Sequence, residues 1–140
     1  MVFHVNKPGR VLLLLFALSL GACVNHDKDA INAVLDARDQ AVSTHDILAY
    51  DALLLPDYME RNNSKADLII RMHNLFKQFD TIKMASDNRI IRIQEDGRHA
   101  LCEQSYHLRV ESDGVWRELY QREQIALTRT KSGWKISGGL

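Results

Sequence analysis

Five polar residues in the second half of the chain carry groups that could bind a ligand or move a proton. They comprise a carboxylate, a guanidinium, two amides and a phenol: Glu123, Arg89, Gln104, Gln121 and Tyr106. Glu123 could supply a charge or act as a general base, Arg89 could hold an anion, and the amides could form hydrogen bonds. The same groups could instead satisfy one another, with Arg89 pairing Glu123 across Gln104, because unpaired buried charges are costly. The sequence leaves both interpretations open and assigns no catalytic residue.

Two turn signals predict how these residues are brought together. Asp113-Gly114 and Asp96-Gly97 are typical two-residue hairpin turns, which fix the register of the flanking strands. The first turn predicts these opposed residues on one face: Leu108–Leu119, Tyr106–Gln121, Gln104–Glu123, Cys102–Ile125 and Ala100–Leu127. The second turn adds three pairs to that face: Ile93–Ala100, Ile91–Cys102 and Arg89–Gln104. This face is therefore apolar at its ends and polar across its middle, while the predicted pairs of the opposite face are mostly polar.

Cys102 is predicted to be a buried apolar residue rather than a nucleophile. Both hairpin registers place its side chain on the covered face, between Ile91 and Ile125. A thiol in such surroundings is inert toward reagents. A bulge at 95–97 would shift the first strand and would weaken this placement.

Three helices are predicted to precede the sheet and to cover its apolar face. Apolar spacing predicts a helix over 28–44, in which Arg38 alone interrupts the apolar stripe. Asp46 can cap a short helix that reaches residue 54 before Pro56, and Ser64 with Asp67 forms a capping box for a third helix. Strands are predicted over 81–94, 98–111, 115–130 and 134–137, with a bend or break at 86–88. The fold class is α+β, with three N-terminal helices on a curved antiparallel sheet.

The N-terminus resembles the signal peptide of a bacterial lipoprotein. Lys7 and Arg10 precede an apolar run, 11–18, which is too short to span a bilayer. The sequence Leu20-Gly21-Ala22-Cys23 then resembles a lipobox, whose cysteine is lipidated and becomes the first mature residue. The resemblance implies a signal peptide at 1–22, a lipidated tether at 23–28 and a domain at 29–140. Val24 stands where an aspartate would imply inner-membrane retention, so we expect an outer-membrane lipoprotein facing the periplasm.

Charge and composition narrow the range of partners. Removal of 1–22 takes away Lys7 and Arg10, so the mature chain has 16 basic and 18 acidic residues. Nucleic acid is not an expected partner, because its backbone demands a basic surface. The mature histidines do not form a local metal set: His99 and His107 lie about 26 Å apart along one strand. We therefore expect no metal and no cofactor, and membrane attachment through the lipid on Cys23.

The domain resembles the NTF2-like superfamily, which includes SnoaL-like and ketosteroid-isomerase-like proteins. The resemblance spans about 29–138 and is carried by three segments: Thr44-His45-Asp46 between two helices, Leu55-Pro56-Asp57-Tyr58, and the closing 127–130 with Gly133-Trp134-Lys135-Ile136. It implies a cone-like fold with a pocket between helices and sheet, and often a homodimer through the exposed sheet face. It implies no reaction, since many members bind ligands without catalysis. The isomerase-like members use a tyrosine on the first helix, which this chain lacks.

Three functions follow as hypotheses. The first is an envelope lipoprotein whose non-catalytic domain binds a small apolar or anionic molecule, or a protein partner, through the five polar residues. The second is an isomerase- or hydratase-like enzyme with Glu123 as base. The third is a structural module that dimerises through a sheet face bearing His107, Trp116 and Tyr120.

Overall fold

Three helices, a small hairpin and a four-stranded sheet make up the computed structural model, which describes residues 14–140. In chain order the elements are α1 (Leu14–Ser43), α2 (Ile47–Ala52), β1 (Met59–Glu60), β2 (Asn63–Ser64), α3 (Lys65–Gln78), β3 (Thr81–Ile93), β4 (His99–Ser112), β5 (Val115–Thr130) and β6 (Gly133–Gly138). This α+β arrangement is the predicted one. The basic residues of the leader, Lys7 and Arg10, lie outside the described residues. Within residues 14–140, no helix combines the length and apolarity needed to cross a bilayer.

The two short-range helix signals are confirmed. The Asp46 side chain accepts a hydrogen bond from the backbone N–H of Ala49 at 2.9 Å and caps α2. The Ser64 side chain accepts from the Asp67 backbone N–H, and the Asp67 carboxylate accepts from the Ser64 N–H, so both halves of the capping box form at α3. The loop before α3 also holds a two-residue hairpin, β1–β2, which the sequence did not predict.

The first helix begins earlier than the predicted residue 28. The predicted tether, 23–28, is helical, because the chain contains no proline between Leu14 and Ser43 to interrupt the helix. Asp27 is also fixed to the sheet, since it pairs with Arg129 and accepts a hydrogen bond from the Trp134 indole at 3.4 Å. The link from Cys23 to a lipid remains a prediction.

The sheet is antiparallel throughout, with the strand order β3-β4-β5-β6. Every pair predicted from Asp113-Gly114 is found between β4 and β5. The pairs Ile93–Ala100 and Ile91–Cys102 are also found, but the register shifts between Asp87 and Ile90. Arg89 therefore lies in the irregular stretch and forms no regular backbone pair with Gln104, but the two side chains are neighbours as predicted, since Arg89 donates to Gln104 at 2.8 Å. The irregularity lies at the predicted bend rather than at 95–97, because Asn88 adopts a left-handed conformation that asparagine tolerates.

The helices cover only part of the sheet. The core joins residues from α1, α2, α3 and all four long strands, including Ile31, Leu35, Leu68, Ile82, Cys102, Ile125 and Ile136. The far end of the β4–β5 hairpin extends beyond the helices, so Leu119, on the face toward the helices, is 46% exposed. The prediction that helices cover the whole apolar face is therefore wrong at Leu119.

Candidate ligand-binding site

A buried ion pair between α1 and β5 forms the base of the candidate site. Arg38 donates from both terminal nitrogens to the two carboxylate oxygens of Glu123, at 2.6 and 3.1 Å. The two side chains are 8% and 11% exposed, so each depends on the other to offset the loss of hydration. Burial alone would lower the pKa of Arg38, but Glu123 and Tyr50 outweigh it and hold that pKa above its usual value. The guanidinium and carboxylate therefore act as a single charge-neutral, two-pronged unit.

Gln104 links this pair to a second cluster of charges. Its amide nitrogen donates to Glu123 at 2.7 Å, and its amide oxygen accepts from the Nε of Arg89 at 2.8 Å. Arg89 then pairs with Asp36 at 2.6 Å and lies 3.6 Å from Asp39. The predicted pairing of Arg89 with Glu123 across Gln104 is therefore present only as hydrogen bonds through Gln104, and the ion pair of Glu123 is made by Arg38 instead. Arg38 takes that place because it projects from α1 into the sheet, opposite Glu123.

Asp39 connects α1 to the irregular part of β3. Its two carboxylate oxygens accept hydrogen bonds from the backbone N–H and the hydroxyl of Ser86, each at 2.8 Å. Burial raises the pKa of Asp39, against the opposing effects of the Ser86 hydrogen bonds and Arg38. Ser86 also accepts from Gln104 at 3.3 Å, so the network is continuous from Asp39 to Glu123.

An open cavity of about 680 Å³ lies beside the ion pair, between α3, the β1–β2 hairpin and β5. Its apolar lining comes from Leu68, Met72, Leu101 and Ala126, and its charged lining includes Arg38, Glu60, Arg61, Arg71 and Glu123. The volume lies within the range of small-molecule sites, which are apolar concavities with a few placed polar groups. The cavity therefore has room for a ligand above the ion pair.

Four arginines and two glutamates line this cavity, and one of the arginines has no ion pair among the described residues. Arg38 is neutralised by Glu123, and Arg61 lies 3.5 Å from Glu60. Arg71, on α3, has no ion pair within the part of the chain that the structure describes. Arg122 lines the rim, but its guanidinium lies 3.8 Å from Glu103 on the opposite face of the sheet. The cavity thus carries a surplus positive charge at Arg71.

Two phenols complete the polar part of the lining. Burial raises the pKa of Tyr50, against the effect of Arg38. Burial also raises the pKa of Tyr106, and the negative charge of Glu123 adds to that effect. Both hydroxyls therefore stay protonated at neutral pH and can donate; the Tyr106 hydroxyl now donates to the Gln121 side chain at 2.9 Å.

The structure divides the five predicted residues into two groups. Tyr106, Gln121 and Glu123 line the cavity, whereas Arg89 and Gln104 belong to the network behind it. Cys102 is fully buried, which confirms its predicted place in the core between Ile91 and Ile125. Among residues 23–140, whose side chains the structure describes, no set of metal-ligating side chains converges.

Sequence reasoning missed Arg38 and Arg71 as site residues. The signal for Arg38 was present, because it is the only charged residue that interrupts the apolar stripe of α1. Such a position places a charge against the core, and a buried charge requires a partner. Arg71 gave no comparable signal, since an exposed arginine on a helix is ordinary.

Comparison with known proteins agrees with this architecture. A family model described as a SnoaL-like domain matches residues 31–138. Among solved structures, a candidate scytalone dehydratase of Novosphingobium aromaticivorans superimposes with a TM-score of 0.77 and 11% identity, covering 85% of each chain. A candidate aromatic ring hydroxylase from the same organism has a TM-score of 0.73 and 21% identity, covering 81% of this chain and 86% of that one.

A third solved structure, an NTF2-like superfamily protein of Salmonella enterica, has a TM-score of 0.73 and 14% identity. It covers 83% of this chain and 89% of its own. No curated protein gives a significant match to the sequence. At these identities the likeness to the solved structures shows the fold alone. The match over residues 31–138, together with helices packed on a curved antiparallel sheet, shows that the chain belongs to the SnoaL-like domain family of the NTF2-like superfamily.

Proposed function

We propose that this protein is an envelope lipoprotein whose SnoaL-like domain binds a small anion with an apolar body, without catalysing a reaction. The observation that carries the proposal is that the Glu123 carboxylate, beside an open cavity, already accepts hydrogen bonds from neighbouring side chains. Both of its oxygens accept hydrogen bonds from Arg38, and one also accepts from Gln104. The site therefore has room for a ligand beside a carboxylate whose two oxygens both already accept hydrogen bonds.

Proton abstraction by Glu123 is disfavoured by this geometry. A general base needs a free lone pair within hydrogen-bond reach of the substrate proton. At Glu123, the guanidinium holds both oxygens in a two-pronged contact at 2.6 and 3.1 Å. The isomerase or hydratase alternative would require that contact to open, which would leave Arg38 buried and unpaired.

The chemistry of the ligand follows from the rest of the lining. Arg71 is the cation left over, and a guanidinium recognises carboxylate or phosphate groups through two parallel hydrogen bonds. Leu68, Met72 and Leu101 offer an apolar wall to the remainder of the molecule. An anion with an apolar body uses both features, whereas a cationic ligand would be repelled by Arg71.

The envelope location rests on the leader sequence. The lipobox-like Leu20-Gly21-Ala22-Cys23 and the basic, apolar segment before it support lipidation at Cys23. Cys23 is exposed on α1, so its thiol is accessible for lipidation. Val24 supports outer-membrane sorting, with the domain facing the periplasm.

Native mass spectrometry of the protein purified from its own envelope tests the proposal. We expect the wild-type protein to retain a small anionic molecule, and Arg71→Gln to lose it. Arg98→Gln is the matched control, because Arg98 is also an exposed arginine, but at the β3–β4 turn and away from the cavity. A ligand retained equally by all three proteins, or turned over by the wild type, would contradict the proposal.

A further inference from the structure

The part of α1 that follows Cys23 is fixed to the sheet within one helical turn. The Asp27 carboxylate pairs with Arg129 and accepts a hydrogen bond from the Trp134 indole at 3.4 Å. The Asp27 side chain is only 13% exposed, so this contact belongs to the packed part of the domain. Four residues of α-helix rise by about 6 Å, so Cys23 lies close to the point of attachment. The fold therefore sets the position of Cys23, with no flexible tether between that residue and the domain.

Cys23 lies at one end of the sheet. Cys23 and Asp27 line one wall of an open cavity of about 510 Å³, and residues between 91 and 97, at the end of β3 and in the β3–β4 turn, line the other. The backbone N–H of Arg129 donates to the Arg98 carbonyl at 2.8 Å, which places the β5–β6 turn beside the β3–β4 turn. We call this surface the anchor end, and it comprises three segments: 23–29, 94–98 and 131–132.

The rest of the domain extends away from the anchor end. The contacts of α1 advance along β3 in the opposite chain direction, from the pair between Asp36 and Arg89 to the Ser43 hydroxyl, which accepts from the Met84 N–H at 2.9 Å. β4 starts at the anchor end and rises by about 43 Å over its length. The Asp113-Gly114 turn therefore lies at the opposite end of the sheet, far from Cys23.

The charges of the anchor end suit contact with the polar surface of a phospholipid bilayer. Lys28, Arg98 and Lys131 are exposed and form no ion pair with any described residue, so their side chains are available to lipid phosphates. Three acidic residues at the same end nearly balance these charges: Asp29, Glu95 and Asp96. Because the net charge is small, electrostatic attraction alone would not hold this surface on a membrane. Contact therefore depends on an anchor at Cys23.

We propose that the anchor end lies against the phospholipid headgroups, so that the domain stands on the membrane in one orientation. The inference rests on the lipidation of Cys23 in the proposed function. An acyl chain on Cys23 enters the bilayer at that residue, and the fixed start of α1 then brings the β3–β4 and β5–β6 turns to the headgroups. The Asp113-Gly114 turn points away from the membrane. The anchor end shares no residue with the cavity that Arg71 lines.

Fluorescence quenching tests this orientation in the full-length lipidated protein, reconstituted in vesicles of phosphatidylethanolamine and phosphatidylglycerol. A lipidated Cys23 has no free thiol and Cys102 is buried, so one introduced cysteine can carry a dye alone. We expect a dye at Glu95→Cys or Lys131→Cys to lose most of its fluorescence when the lipid headgroups carry a nitroxide quencher. Val115→Cys is the matched control, because Val115 is 58% exposed beside a turn of the same sheet, but at the far end. Its dye should keep its fluorescence.

A flexible linker inserted after Asn25 tests whether the fixed helix causes the contact. A Gly/Ser linker of about ten residues has an end-to-end distance of about 17 Å, so both anchor-end dyes should regain fluorescence while the protein stays on the vesicles. Quenching unchanged by the linker would overturn the docking, as would equal quenching at all three positions or none at the anchor end of lipidated, vesicle-bound protein; each result leaves the lipoprotein proposal intact. Protein whose intact mass shows no acyl group, and which stays off the vesicles, would overturn the proposed envelope attachment and the docking together.

Discussion

Removal of the Glu123 charge is the most direct test of the buried pair. Glu123→Gln keeps the shape of the side chain but leaves the Arg38 guanidinium without a counter-charge at 8% exposure. Breaking one side of a buried pair costs about 3–5 kcal/mol, because the remaining charge is neither hydrated nor paired. The open cavity beside Arg38 admits some water, so the lower end, about 3 kcal/mol, is expected. For a domain of this size that lowers Tm by roughly 10 °C.

The assay is urea and thermal unfolding followed by circular dichroism at neutral pH. Glu118→Gln is the control, since it makes the same substitution on the same strand at a residue that is 43% exposed and paired with Arg109. An exposed pair contributes about 0–1 kcal/mol, so the control should unfold close to wild type. Equal and small effects of the two substitutions would refute the claim that the Arg38–Glu123 pair is buried and mutually dependent.

Three further predictions concern single residues. Cys23→Ala should abolish lipidation, and processed protein that still fractionates with membranes would contradict the lipobox interpretation. Cys102 should react with thiol reagents only as fast as the domain unfolds, because it is buried and burial raises its pKa; rapid native labelling would contradict its place in the core. Tyr50 should ionise above pH 10 in the native protein. Because its folded-state pKa is raised, stability should fall as pH rises above 10, and Tyr50→Phe should reduce that fall in alkaline unfolding experiments.

Local signals in the sequence predicted the strands and caps accurately. The turn Asp113-Gly114 determines every pair between β4 and β5, because a two-residue hairpin has only one register. Asp46 and Ser64 mark helix starts because each satisfies a backbone N–H that the helix leaves unpaired. These features depend on neighbours within a few residues, and such neighbours are visible in the sequence.

Contacts between segments that are distant in the sequence were harder to predict. The partner of Glu123 is 85 residues away, and the hairpin registers relate strands to strands but not helices to strands. When only the hairpin registers were considered, Arg89 was the cation nearest to Glu123. The bulge near Asn88 then displaced Arg89 toward Asp36 and Asp39, which only the packing of α1 on β3 could reveal. The predicted start of α1 at residue 28 is wrong because no residue there ends the preceding helical turns, and 23–28 continue the same helix.

The five predicted polar residues fall into two groups, and this division limits which charged groups could contact a ligand in the cavity. Behind the cavity, Gln104 accepts a hydrogen bond from Arg89, Asp39 accepts two from Ser86, and Arg89 lies 3.6 Å from Asp39, so these groups join α1 to the sheet. Glu123 lines the cavity but is neutralised by Arg38. Under the proposed function, the charge that binds the ligand would come from Arg71 on α3 rather than from Glu123 on the sheet. Because α3 contributes no residue to the network of hydrogen-bonded charges, a substitution at Arg71 can alter ligand charge preference without loosening the buried pair. The separation between stability on α1 and recognition on α3 is what makes Arg71→Gln a test of binding rather than of folding.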